Sequence, residues 1–281
     1  MAYDLGWGTK TPGHIVYLVD LSGSMATDNK IGKVMEALQK GLRLLVTKCT
    51  SGTTLLERVT ATVIGYHSEI VPLFSGGAQE MKELIRKAVT SGRPIFDFGQ
   101  GGIAEPKWQT YMTNAYNEAR KDIEKWMREN GDKRLPAPDV VNITDGQPEE
   151  NGKSLETCAS EALRAAQDLM KLETPDGKLL LFNLHIGKSG NVEELILPTN
   201  PPKATGDDRE DKRLRFLYDS SSILPEKMIN AAATFDLPAH PGSRGMVSNV
   251  QDTNLMIRLI EFSSIGSAYN EGSAETPRPN Y

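Results

Sequence analysis

A doubly wound α/β fold, with a mostly parallel central sheet, one antiparallel edge strand and helices on both faces, is predicted by three observations. Apolar runs of strand length alternate with amphipathic stretches at helical spacing. Two of the runs stop abruptly at an aspartate, Asp20 and Asp145, where α/β sheets place their sites beyond the strand C-termini. One pair of runs is joined by His67 and Ser68 alone, too short a link for a parallel crossover, so that pair is a hairpin at the sheet edge.

The elements follow in order. His14 to Val19, H-I-V-Y-L-V, is rich in β-branched residues and suits a strand buried on both faces. Ile31, Val34, Met35, Leu38, Leu42, Leu45 and Val46 recur at helical spacing and predict a helix from Lys30 to Thr47, with Asp28 or Asn29 as its cap. Arg58 to Tyr66 alternates as a second strand, and Glu69 to Phe74 is its edge partner. Met81, Leu84, Ile85, Ala88 and Val89 mark a second helix. Glycine, proline and scattered aromatics then fill a long loop over residues 91–109, a length associated with function more than with spacing.

Met112, Ala115, Tyr116, Ala119, Ile123, Trp126 and Met127 define the buried face of a third helix. Asp139 to Thr144, D-V-V-N-I-T, is a strand. A helix from Ser154 to Lys171 and a strand from Leu179 to Ile186 continue the alternation. Residues 198–213 read as an exposed loop, Arg215 to Tyr218 as a last short strand, Pro225 to Thr234 as a helix with proline at its first position, and Val250 to Phe262 as a closing helix. This divides the chain into an extension over residues 1–13, one domain over 14–266, and a tail over 267–281 too poor in apolar residues to fold.

The 281 residues suffice for one sizeable core, and the net charge of -5 provides no basic stripe for nucleic acid. No 18-residue apolar run or signal-peptide pattern is present, so neither a membrane nor a nucleic-acid partner is expected, and a cytoplasmic location is. Cys49 and Cys158 both fall at apolar helical positions, which predicts buried free thiols.

The chemistry-bearing residues are Asp20, Ser22 and Ser24, spaced by two in the loop beyond the first strand, which can turn three oxygens toward one point. Such a set suits a hard divalent cation; a polar turn leading into a helix cap uses the same residue types. The four histidines lack ligand spacing and read as structural or solvated. Trp108 and Phe96 to Phe98 are candidates for an aromatic rim or for loop packing.

Asp20-x-Ser22-x-Ser24, Thr110 before a helix, and Thr144-Asp145-Gly146 after a strand together resemble the metal-ion-dependent adhesion site (MIDAS) of von Willebrand factor A domains. T-Y-M-T-N-A from Thr110 and S-E-I-V-P-L-F after G-Y-H are similar to further family patterns, and the resemblance spans His14 to Gly266. It extends to intracellular bacterial forms, including the tellurite-resistance-associated group.

The resemblance implies a Rossmann-like fold in which Asp20, Ser22, Ser24, Thr110 and Asp145 hold one Mg²⁺ or Mn²⁺. It further implies a non-enzymatic module that binds an acidic residue of another protein, in a bacterial stress-response, defence or assembly system. Candidate partners are an AAA-type ATPase, a kinase or a phosphatase. One departure concerns the family's glycine just before the metal-site threonine: here Trp108 and Gln109 intervene, with Gly101 and Gly102 upstream, and Thr113 is the alternative ligand.

Other readings are a phosphatase-type hydrolase with Asp20 as nucleophile and a scaffold with a vestigial metal site. The hydrolase normally has a second acid two residues on, where this chain has Ser22. A phosphate-binding loop from Gly146 to Ser154 is one residue too long and carries Glu149 and Glu150, which repel phosphate, so Ser154 is expected as a helix cap.

Overall fold

A computed structural model describes residues 3–187 and 194–264. The expected disordered tail over 267–281 lies outside the described residues. Seven strands form the main sheet: β1 (Gly13–Asp20), β2 (Val59–Tyr66), β3 (Ile70–Gly76), β4 (Asp139–Thr144), β5 (Leu180–Ile186), β6 (Leu195–Ile196) and β7 (Met246–Val250). Their spatial order is β6-β7-β5-β4-β1-β2-β3. The central strands are parallel, and β3 pairs antiparallel with β2 through a hairpin whose connection, His67 to Glu69, is one residue longer than expected. A two-residue strand, β6, adds a second antiparallel pairing at the opposite edge.

Every residue of β1, β4 and β5 is buried, as expected of strands covered on both faces. One face packs against α1 (Lys30–Lys48), α2 (Ala78–Ser91), α6 (Glu226–Ala232) and α7 (Thr253–Ser263). The other packs against α3 (Met112–Glu129), α4 (Leu155–Leu169) and α5 (Asp208–Asp219). Gly41 is where α1 meets α7: a Cβ there would lie 2.5 Å from Ile260 Cγ2, so only glycine permits this approach. Both cysteines are buried free thiols.

Three expectations about the C-terminal third change. Residues 208–219 form α5, so the second half of the expected loop and the expected strand from Arg215 to Tyr218 are one helix. The reason is local. Asp207 caps it by accepting from Arg209 N and Glu210 N at 2.9 and 3.3 Å, three acids fill the first turn, and Leu214, Leu217 and Tyr218 bury at helical spacing. The expected closing helix from Val250 is α7 and starts at Thr253, because Asp252 caps it by accepting from Asn254 N at 2.9 Å, and Val250 instead ends β7, a strand absent from the expected elements. Pro225 stands at the cap of α6 and not at its first helical position.

A polar network runs between the sheet and α3. Asn142 on β4 accepts from the Tyr66 hydroxyl at 2.8 Å and donates to Tyr116 at 3.1 Å and Asn183 at 2.9 Å. Asn183 in turn donates to Leu217 O, Ser220 and Ser221, tying α5 to β5. Buried polar groups are stable only when satisfied as a set. Asn142→Ala strands the Tyr66 hydroxyl and is expected to destabilise the protein by about 2–4 kcal/mol, measured as a drop in the urea midpoint at constant m-value.

Candidate metal centre

The site starts from register. Val19 on β1 pairs with Ile143 on β4, so one residue further on Asp20 and Thr144 stand side by side. Thr144 Oγ1 donates to Asp20 Oδ2 at 2.6 Å, and Ser22 N donates to Asp20 Oδ1 at 2.7 Å. Asp20 is 0% exposed. Burial first, and the Asp145 charge second, push its carboxyl up to about 7.

Beyond Asp20 the chain makes a short 3-10 stretch, Gly23–Asn29, pinned by the fully buried Met25. The Ser22 and Ser24 hydroxyls are 3.1 Å apart, and Ser24 Oγ donates to Asp145 Oδ1 at 2.7 Å. Asp28 and Asn29 both have positive φ, at 54° and 53°, and neither side chain caps α1. The cap expected there is therefore replaced by a left-handed turn, a conformation that Asp and Asn tolerate better than most residues.

The loop before α3 is stitched onto this turn by main-chain bonds. Lys107 N donates to Leu21 O at 2.7 Å, Thr110 and Glu149 exchange two bonds of 3.1 Å, and Tyr111 N donates to His67 O at 3.1 Å. Thr110 is buried and lines the same cavity of about 540 Å³ as Ser22, Ser24 and Asp145. Thr113 is not among the residues lining that cavity. Gln109 takes φ of +79°, the left-handed region that favours glycine, directly before Thr110. The backbone thus makes a glycine-type turn without the glycine.

Asp20 lies behind this cavity, bonded through Thr144 and Ser22, while Ser22, Ser24, Thr110 and Asp145 line it. The aromatic rim is present in part. Trp108 is 86% exposed and lines the cavity, whereas Phe96 packs in the core. Ser154 caps α4 by accepting from Thr157 N at 3.1 Å, as expected of a solvated loop before that helix.

Two participants were not foreseen. Lys30 opens α1 with its ammonium 2.6 Å from Asp145 Oδ2, both side chains buried. Its signal was a lysine in the first turn of a helix, unfavourable there unless an acid answers it. The second is the α5 wall, where Asp207, Arg209, Glu210 and Arg213 line the same cavity as the serines. A helix read as a loop hid it.

The donor chemistry fits a hard cation: the Asp145 carboxylate, two serines and a threonine line one cavity from three loops, with the Asp20 carboxyl bonded behind them. No group of three or more His, Cys, Asp or Glu able to hold a metal occurs among the described residues, so the hydroxyls are essential to such a site.

No protein-family model matches the chain, and no curated protein matches it. Among solved structures, the pilus adhesin SpaC of Lactobacillus rhamnosus GG in its open conformation aligns with a TM-score of 0.53 at 13% identity, over 93% of this chain and 31% of the adhesin. The manganese-loaded TRAP protein of Plasmodium vivax aligns with a TM-score of 0.44 at 18% identity, over 90% of this chain and 72% of TRAP. The vWF domain of the type V pili tip protein Mfa5 from Porphyromonas gingivalis gives 0.34 at 17%, over 50% of this chain and 39% of that domain.

At these identities the likeness is one of fold, carried by the first alignment. The chain is an α/β protein with a seven-stranded, mostly parallel sheet flanked by helices, and it spans under a third of the adhesin's length. No helix among the described residues is long and apolar enough to cross a membrane.

His185, in register with Thr144 on β5, connects the site to pH. Burial, aided by the Arg213 charge, lowers its pKa from 6.5 to about 3. Below 6.5 the unfolded chain takes up a proton that the folded one refuses, so this residue's stability contribution is complete above 6.5 and is lost as pH falls toward 3. His185→Gln is expected to flatten the fall in stability between pH 6.5 and 4.5 by up to about 1.4 kcal/mol per pH unit, measured by urea denaturation at each pH.

Proposed function

We propose that this chain is a protein-interaction module that holds one Mg²⁺ or Mn²⁺ among Asp20, Ser22, Ser24, Thr110 and Asp145 and binds an acidic side chain of a partner protein. The observation that carries the reading is the hydrogen-bonded run Ser22–Ser24–Asp145, at 3.1 and 2.7 Å, lining one cavity with Thr110. Four side chains from three separate loops converge there, which a simple polar turn before α1 does not require.

A bound cation supplies a hard, partly hydrated centre at which an incoming carboxylate replaces a water. The protein's part is to orient the donors. Thr144 and the Ser22 amide fix Asp20 from both sides, Asp145 orients the Ser24 hydroxyl, and the Thr110–Glu149 main-chain pair holds Thr110 at the cavity wall. Neutral hydroxyls leave the cation's charge incompletely answered, which favours an anionic partner group. Trp108, exposed at the rim, provides apolar surface beside it.

The hydrolase reading is disfavoured by geometry. Asp20, its only candidate nucleophile, is 0% exposed, and each of its oxygens accepts a hydrogen bond. A carboxylate held behind the pocket wall is a support and not an attacking group.

Calorimetric titration with Mn²⁺ and Mg²⁺ tests the proposal: the Ser22→Ala, Asp145→Ala double variant is expected to bind at least about tenfold more weakly than wild type. Affinity capture from the native host should recover partners that a chelator releases. Equal metal affinity in both proteins, or turnover of p-nitrophenyl phosphate lost in Asp20→Asn, refutes it.

A further inference from the structure

Lys30 raises a question that the cation site alone does not answer. Its ammonium is 2.6 Å from Asp145 Oδ2 and 3.4 Å from Ser24 O, with the Lys30 and Asp145 side chains only 3% and 1% exposed. A buried amine at a helix N-terminus is opposed both by the helix dipole and by desolvation. Its carboxylate partner is what holds it there, and that carboxylate is also a residue the proposed ion needs.

The two oxygens of Asp145 divide the work. Oδ2 takes Lys30, while Oδ1 takes the Ser24 hydroxyl at the cavity. A divalent ion gathered by Ser22, Ser24 and Asp145 would therefore share one carboxyl group with a fixed positive charge. Lys30 also bears on its neighbours, since its charge helps to keep His185 neutral.

Resting on the metal reading above, we propose that Lys30 is a resident counter-charge that sets the affinity of the site. Without a divalent ion it neutralises Asp145 and keeps the loops assembled. With one present it repels it, so the ion alone is held weakly and the negative charge of an acidic partner is what secures it. Ion and partner then bind cooperatively, each raising the other's affinity by the same factor.

The test is a calorimetric titration of the full chain with Mn²⁺. Lys30→Gln retains a hydrogen-bond donor for Asp145 Oδ2 without the charge and is expected to bind at least about tenfold more tightly than wild type, because charges this close interact strongly even when screened. Lys30→Arg keeps the charge and should stay within about threefold of wild type. Thermal unfolding supplies a second readout: Lys30→Gln should melt lower than wild type in chelator and recover more on adding Mn²⁺.

Because glutamine leaves Asp145 uncompensated, the comparison is also made in an Asp145→Asn background: loss of that ligand weakens Mn²⁺ binding in both variants, and Lys30→Gln with Asp145→Asn is expected to bind more tightly than Asp145→Asn alone. Equal or weaker Mn²⁺ binding in Lys30→Gln, with wild type binding normally, overturns this proposal and leaves the metal site standing. Failure of all variants and of wild type to bind Mn²⁺ removes both.

Discussion

The parallel register between β1 and β4 is the constraint on which everything else in the site depends. Val19 opposite Ile143 brings Asp20 beside Thr144, and the next residue, Asp145, reaches back to Ser24. Side chains alternate along a strand, so a slip of one residue would turn Thr144 away from Asp20 and send the wrong face of each strand into each core. The apolar packing on both faces thus fixes the relative position of polar groups that make few bonds of their own. Core and site are set by the same alternation.

Burial has an electrostatic cost at this end of the sheet, and the protein meets it with donors of several kinds. Asp20 is answered by an amide and a hydroxyl, Asp145 by a hydroxyl and an ammonium. Deeper in the sheet, Asn142 and Asn183 satisfy one another through Tyr66, Tyr116 and the serines after α5. These networks differ in kind. The asparagine set is internally complete, whereas at the strand ends Asp145 lines an open cavity with Asp20 bonded behind it.

Most of the fold was legible from periodicity. Strands buried on both faces announce themselves by β-branched runs such as Val140, Val141 and Ile143, and α1 and α3 by long stripes at helical spacing. Ser22, Ser24 and Asp145 were legible because oxygen-bearing residues stood where apolar strands end. What failed was short and mixed. Arg215 to Tyr218 has an apolar run that suits either a strand or a helix turn, and its capping aspartate lies eight residues upstream inside a proline-rich, charged segment. β7 contains Ser248 and Asn249, whose polarity masks a buried strand. Lys30 escaped because its partner is distant in sequence, a tertiary pairing that no local pattern encodes.

The α5 wall has a consequence for selectivity. Asp207, Arg209, Glu210 and Arg213 line the same cavity as Ser22 and Ser24, so a group that reaches the serine hydroxyls does so among charges of both signs. Such a lining discriminates by the pattern of charge more than by its sum, since each like charge set against another costs free energy.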